Sequence, residues 1–194
     1  MRILSYAQVL CCKAVYPSIL YINKMKYFLK NYLAEFVYGA LDGTVTTFAI
    51  IAGVAGANLS PAIVLILGVS NVLADGFSMA ASNYLSEKSH QAQSGLVPAH
   101  SPIKTAVATF VSFVVVGSVP LIAYVVSAVF GIWQGNEFLI SGIFTSLAFI
   151  LVGQVRGKIT QTSRFNSAIE TLFIGSVAAA VAYAVGAFLQ NVVM

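Results

Sequence analysis

Charge is what this chain has least of. Ten Lys and Arg and six Asp and Glu make only 8% of its 194 residues charged, where a soluble domain carries about 25%. So few charges cannot coat a 20.5 kDa globule in water. That shortage excludes a soluble fold, a disordered chain and a nucleic-acid-binding domain. Cysteine is equally scarce: two residues, adjacent at Cys11 and Cys12, give neither a disulfide framework nor a CxxC pair. The chain also lacks a P-loop, a nucleophile motif and an HExxH spacing, so nothing in it argues for an enzyme. What is present is apolar. Hydrophobic residues make up 59% of the sequence and the mean hydropathy is +0.89, as in a multi-span membrane protein.

A hydrocarbon core about 30 Å thick is crossed by roughly 20 helical residues. Five stretches reach that length, at about Phe36–Ala57, Ala62–Ser86, Ile103–Trp133, Phe138–Val155 and Ser167–Val193. They are too long for barrel strands and have no alternation of period two, so an all-α membrane protein with five transmembrane helices is expected. Pro61 suits the first turn of the second span. The third stretch exceeds what a bilayer requires, which predicts tilt or an extension into water. Glu87–Pro102 reads as a polar connection.

The cations set the orientation. Arg2, Lys13, Lys24, Lys26 and Lys30 precede span one, Lys88 and Lys104 flank the second connection, and Arg156, Lys158 and Arg164 the fourth. All ten therefore lie on one side, which places the N-terminus in the cytoplasm and, after five crossings, the C-terminus outside. The basic balance is a topology signal and implies no nucleic acid. Residues 1–33 read as a cytoplasmic N-terminal segment and residues 34–194 as the five-helix domain. Ile3–Cys12 mimics a signal peptide but is too short to span and has no small-residue cleavage site, while Met25 followed by Lys26 and Lys30 makes an ordinary start.

Asp42 in span one and Asp75 in span two are carboxylates at membrane depth. Each costs about 2.5–3.5 kcal/mol to insert, so acids retained there usually serve a function. Packing roles for both, snorkelling or bonding to neighbouring hydroxyls, remain the alternative. Asp75 and Met79 are one helical turn apart, with Asn71 one turn the other way and Ser78 and Ser82 alongside. Thr46 follows Asp42 at the same spacing. A carboxylate beside a thioether favours a softer transition ion such as Fe²⁺ over Mg²⁺ or Ca²⁺, although a lone methionine on an apolar helix is more often core filling. Gly39 and Gly43 form a GxxxG around Asp42, Gly153 and Gly157 another, and Ala178, Ala182 and Gly186 a third small row. The first would bring Asp42 against another helix or against its own copy. Glu35, Glu137 and Glu170 fall at span ends, where an exposed carboxylate is cheap.

Around these residues the chain resembles the vacuolar iron transporter family, which includes nodulin-like and bacterial members. The matching segments are Phe36 to Phe48, with Gly39, Asp42 and Gly43; Ala74 to Met79 through Tyr84, Leu85 and Ser86; Gly117 to Ile122; and Glu170 to Gly175 followed by Ala178 to Tyr183. The resemblance covers about residues 33–192. It implies a homodimer with the first helices at the interface. It also implies proton-coupled export of Fe²⁺, and often Mn²⁺, from the cytosol along a pathway between them. Asp42 and Met79 match the family's pathway ligands, and Asp75 belongs to the second-span motif. Its role stays open between shaping the cytoplasmic mouth and holding the helix packing. Thr46, Asn71, Ser78 and Asn83 are candidates for lining the pathway.

Two departures from the family stand out. The chain lacks the long Glu-rich insertion after span two and offers there only Glu87, His90 and His100, of which Glu87 and His90 are the candidates for a thin capture site; a solvated loop is the blander alternative. Asn83 stands where many members have Glu. The implied partners are a second copy, membrane lipid, protons and divalent transition metals as cargo, with no resident cofactor. A bacterial inner membrane is favoured by the short connection, and a vacuolar membrane if the source is eukaryotic. The rival readings are a small dimeric cation channel without proton coupling and a non-transporting subunit. N-terminal sequencing of the native product is expected to begin at Met25; a product beginning at Met1 refutes that start.

Overall fold

The structure, a computed structural model, describes residues 32–94 and 101–193. The chain divides into two units, Met1–Leu33 and Ala34–Met194. Apart from Tyr32 and Leu33 the first unit lies outside the described residues, as do the expected start at Met25, the cysteine pair and His100.

Among the described residues six α-helices follow one another. They are α1 (Tyr32–Gly56), α2 (Pro61–Ser94), α3 (Pro102–Gly117), α4 (Ile122–Phe130), α5 (Glu137–Ile159) and α6 (Arg164–Val193). A 3₁₀ turn at Val119–Leu121 joins α3 to α4, and together they form one crossing, so five spans are long and apolar enough for a bilayer. The third span, expected to be long, is interrupted within its length. Pro120 has no N–H to donate and cannot continue an α-helix without a clash, so the helix breaks there. In hydrocarbon the carbonyls freed by a break need partners from the protein, and the Ser141 hydroxyl of α5 donates to the Pro120 carbonyl at 2.7 Å.

Span two also differs from its expected bounds. Pro61 opens α2 as anticipated, but the helix continues through Glu87 to Ser94 rather than ending at Ser86. Polarity marks where a helix leaves lipid, not where it ends, and nothing between Glu87 and Ser94 is a Gly or Pro that would stop it. Within this extension Gln91 donates to the Glu87 carboxylate at 3.2 Å and Lys88 lies over the Tyr84 ring.

Small residues decide which helices touch. A Cβ on Gly43 would sit 2.7 Å from the Phe113 carbonyl oxygen, and one on Gly39 2.6 Å from that of Thr109. The first GxxxG therefore seats α1 on α3 of the same chain. The second packs α5 on α6, where a Cβ on Gly153 would meet the Ala168 Cα at 2.6 Å. Gly186 of the third row lies against Gly53 of α1. Ile51, Val54, Val64, Val72, Leu121, Ala123 and Tyr124 form an interior cluster shared by α1, α2, the 3₁₀ turn and α4. Outward, the surface is apolar: Phe173, Phe188 and Val193 of α6 are each at least 66% exposed, as a lipid-facing helix requires and a water-facing one would not tolerate.

Glu137 corrects the expectation of a cheap, exposed end residue. It is buried and accepts a 2.8 Å hydrogen bond from Ser127, closing the turn between α4 and α5. Replacing Gly43 by Val drives a side chain into the Phe113 backbone. A loss of about 1–3 kcal/mol is expected, read as a lower thermal midpoint in detergent; an unchanged midpoint would mean that α1 does not rest on α3 this closely.

Candidate functional site

Helical spacing puts Asp42 and Thr46 on one face of α1, and Asn71, Asp75 and Met79 along one face of α2. All five are half-buried. Asp42 and Asp75 thus stand on two consecutive spans, each half-buried. A carboxylate shielded from water at membrane depth is unfavourable as a bare anion and is relieved by a bound cation or by a proton. Met79 adds a thioether one turn, about 6 Å of rise, beyond Asp75.

Neighbouring polar groups are partly committed. Thr46 turns its hydroxyl back to the Asp42 carbonyl at 2.8 Å, which leaves lone pairs but no free proton for a neighbour. Thr44 does likewise to the Ala40 carbonyl at 2.7 Å. The Asn71 side-chain amide nitrogen is buried with no hydrogen-bond partner, a donor in want of an oxygen one turn from Asp75. Asn83 does not share this freedom: its amide donates to the Thr109 hydroxyl at 2.7 Å, tying α2 to α3. Ser78 and Ser82 are exposed. Glu87 is half-buried and His90 exposed on the continuation of α2, about 12 Å of rise beyond Met79 in the case of Glu87. They are held on a helix rather than a loop, and they do not join the two aspartates. Among the described residues no cluster of three or more His, Cys, Asp or Glu could hold a metal, so one chain brings two carboxylates and a thioether, short of a full shell.

Glu35 was missed as a candidate. It is half-buried, one of its carboxylate oxygens is buried without a partner, and it precedes Asp42 by seven residues, two turns along the same face of α1. The seven-residue interval was the available signal; its position near a span end disguised it. Glu170, by contrast, is the exposed end residue anticipated, and pairs with Arg156 at 3.1 Å.

The model of the VIT family matches residues 33–94 and 90–187. A vacuolar iron transporter of Plasmodium berghei is 47% identical over 57 residues, which is 29% of this chain and 21% of that protein. A vacuolar iron transporter of Toxoplasma gondii is 28% identical, covering 84% of this chain and 76% of its own. The vacuolar iron transporter 1 of Tulipa gesneriana is 26% identical over 81% of this chain and 87% of its own.

Since Asn83 is spent on Thr109, Asn83→Ala is expected to destabilise the fold by about 1 kcal/mol, whereas Ser78→Ala leaves it unchanged. Thermal unfolding of the two variants in detergent compares them, and equal midpoints would return Asn83 to the candidate pathway.

Proposed function

We propose, from the premise that the chain belongs to the VIT family, that it carries Fe²⁺, and Mn²⁺ as a second cargo, out of the cytosol in exchange for protons. The observation that carries the reading is the presence of Asp42 and Asp75, half-buried acids on two consecutive spans, with Met79 one turn from Asp75. A carboxylate shielded from water is stable when it faces a cation or holds a proton, so metal and protons compete for the same oxygens. Two protons leaving as one divalent ion binds keeps the charge of the site constant, which is the chemical basis of antiport. Sulfur at Met79 biases the competition toward a soft ion and against Mg²⁺.

The ligand set of one chain is incomplete among the described residues, which favours a homodimer in which a second copy supplies another Asp42 and Met79 across a shared pathway. Glu35, two turns nearer the cation-rich end, extends the line of acids toward the side where Arg156, Lys158 and Arg164 mark the cytoplasm. Asn71 supplies a donor that holds a carboxylate in place. Glu87 and His90 sit too far along α2 to bind with the aspartates and would meet metal only before entry. The membrane is the bacterial inner membrane, or a vacuolar one in a eukaryote.

In proteoliposomes with an inward-to-outward pH difference, Asp42→Asn is expected to lower Fe²⁺ flux at least ~100-fold, about 2.7 kcal/mol, with folded protein retained. Met79→Leu is expected to keep flux and to lose preference for Fe²⁺ over competing Mg²⁺. Flux by Asp42→Asn at the parent rate defeats the assignment, and flux that persists unchanged after the pH gradient is dissipated points instead to a cation channel.

A further inference from the structure

The outer surface of α1, α4 and α5 carries a slot that the metal pathway does not use. It is a cavity of about 530 Å³ with Ala40 and Ala148 as its floor and Phe36, Phe144, Leu151 and Val155 among its walls. The floor is buried, Ala40 fully and Ala148 to 6% exposure, while Leu151 on the rim is 64% exposed. Small residues below and large ones at the sides make a furrow, where most lipid-facing surface is merely rough. From Phe144 to Val155 it runs about 16 Å along α5, close to the depth of one leaflet.

The furrow leads to a charge. At the cation-rich end of α1 and α5 a second cavity of about 210 Å³ is lined by Tyr38, Leu41, Arg156 and Thr160, and Val37 borders both cavities. The Arg156 guanidinium is fastened by one nitrogen to Glu170 at 3.1 Å, and a guanidinium has five N–H donors. Lys158 and Arg164 lie close by in sequence.

We propose that this slot is a specific site for an anionic phospholipid of the leaflet on the cation-rich side, with one acyl chain in the furrow and the phosphate on Arg156. Continuity of an apolar channel one leaflet deep with a cationic end matches the two parts of such a lipid. A partner helix, about 10 Å across with its side chains, would want a broad face instead. Basic pockets between membrane helices select anionic headgroups in this way. The pair with Glu170 uses one guanidinium nitrogen and joins α5 to α6, leaving the remaining donors for a phosphate.

The full-length protein is purified in detergent and titrated with phosphatidylglycerol or phosphatidylcholine, bound lipid being counted by native mass spectrometry. One phosphatidylglycerol per chain is expected, held about tenfold more tightly than phosphatidylcholine. Arg156→Gln should abolish that preference, and Leu151→Trp, on the exposed rim, should lower retention of both lipids without loss of fold. Glu170→Gln, which keeps the guanidinium, should retain the preference. Equal affinity for the two lipids, an unchanged preference in Arg156→Gln, or its loss in Glu170→Gln to the same extent would overturn the proposal. So would a disulfide between two copies of Leu151→Cys in native membranes (in a Cys11→Ser, Cys12→Ser background), which would give the furrow to a second copy. None of these readouts depends on which ion is carried.

Discussion

In lipid, helices gain nothing by hiding apolar side chains from water, so α1 is held in place by how closely its backbone can approach its neighbours. Gly39 and Gly43 allow that approach on the α3 side and Gly53 and Gly56 on the α6 side. The consequence reaches the candidate site directly. Once two rows of small residues fix the rotation of α1, Asp42 and Glu35 are left half-buried. A bulkier α1 would turn or withdraw, and Asp42 would move with it. Dispersion contact, individually weak, thus sets the electrostatics.

The same scarcity governs the polar groups. Hydroxyls of Thr44, Thr145 and Thr171 return to carbonyls of their own helices, satisfying themselves without reaching across the bundle. Those that do cross have identifiable work: Ser141 serves the carbonyl left at the Pro120 break, Asn83 joins α2 to α3, and Ser127 fastens Glu137. Against that background the buried donor of Asn71 and the buried oxygen of Glu35, like the Thr47 hydroxyl, have no partner. Unpaired polar atoms are expensive in such surroundings, and those of Asn71 and Glu35 lie on the faces that carry Asp42 and Asp75.

Much of the site was legible without the fold. Asp42, Asp75 and Met79 could be named because an acid in an apolar stretch is rare enough to be conspicuous and because helical spacing links residues within one segment. Glu35 and Glu137 were not legible in this sense. A carboxylate near a span end has the same sequence signature whether it faces water, as Glu170 does, or is buried against a serine, as Glu137 is. Asn83 was open to misreading for the same reason: nothing in its own segment announces Thr109, twenty-six positions later.

The sequence by itself determined five apolar spans among the described residues and the presence of acids within them. The thickness of hydrocarbon and the cost of inserting a charge act on each segment separately, so a linear reading suffices for them. Only the tertiary structure decided that the first GxxxG faces α3, that the third crossing is broken at Pro120, that α2 runs on to Ser94, and that a furrow opens between α1 and α5 toward Arg156. Those outcomes depend on which helix faces meet and at what distance, a property of pairs of segments that no single segment contains.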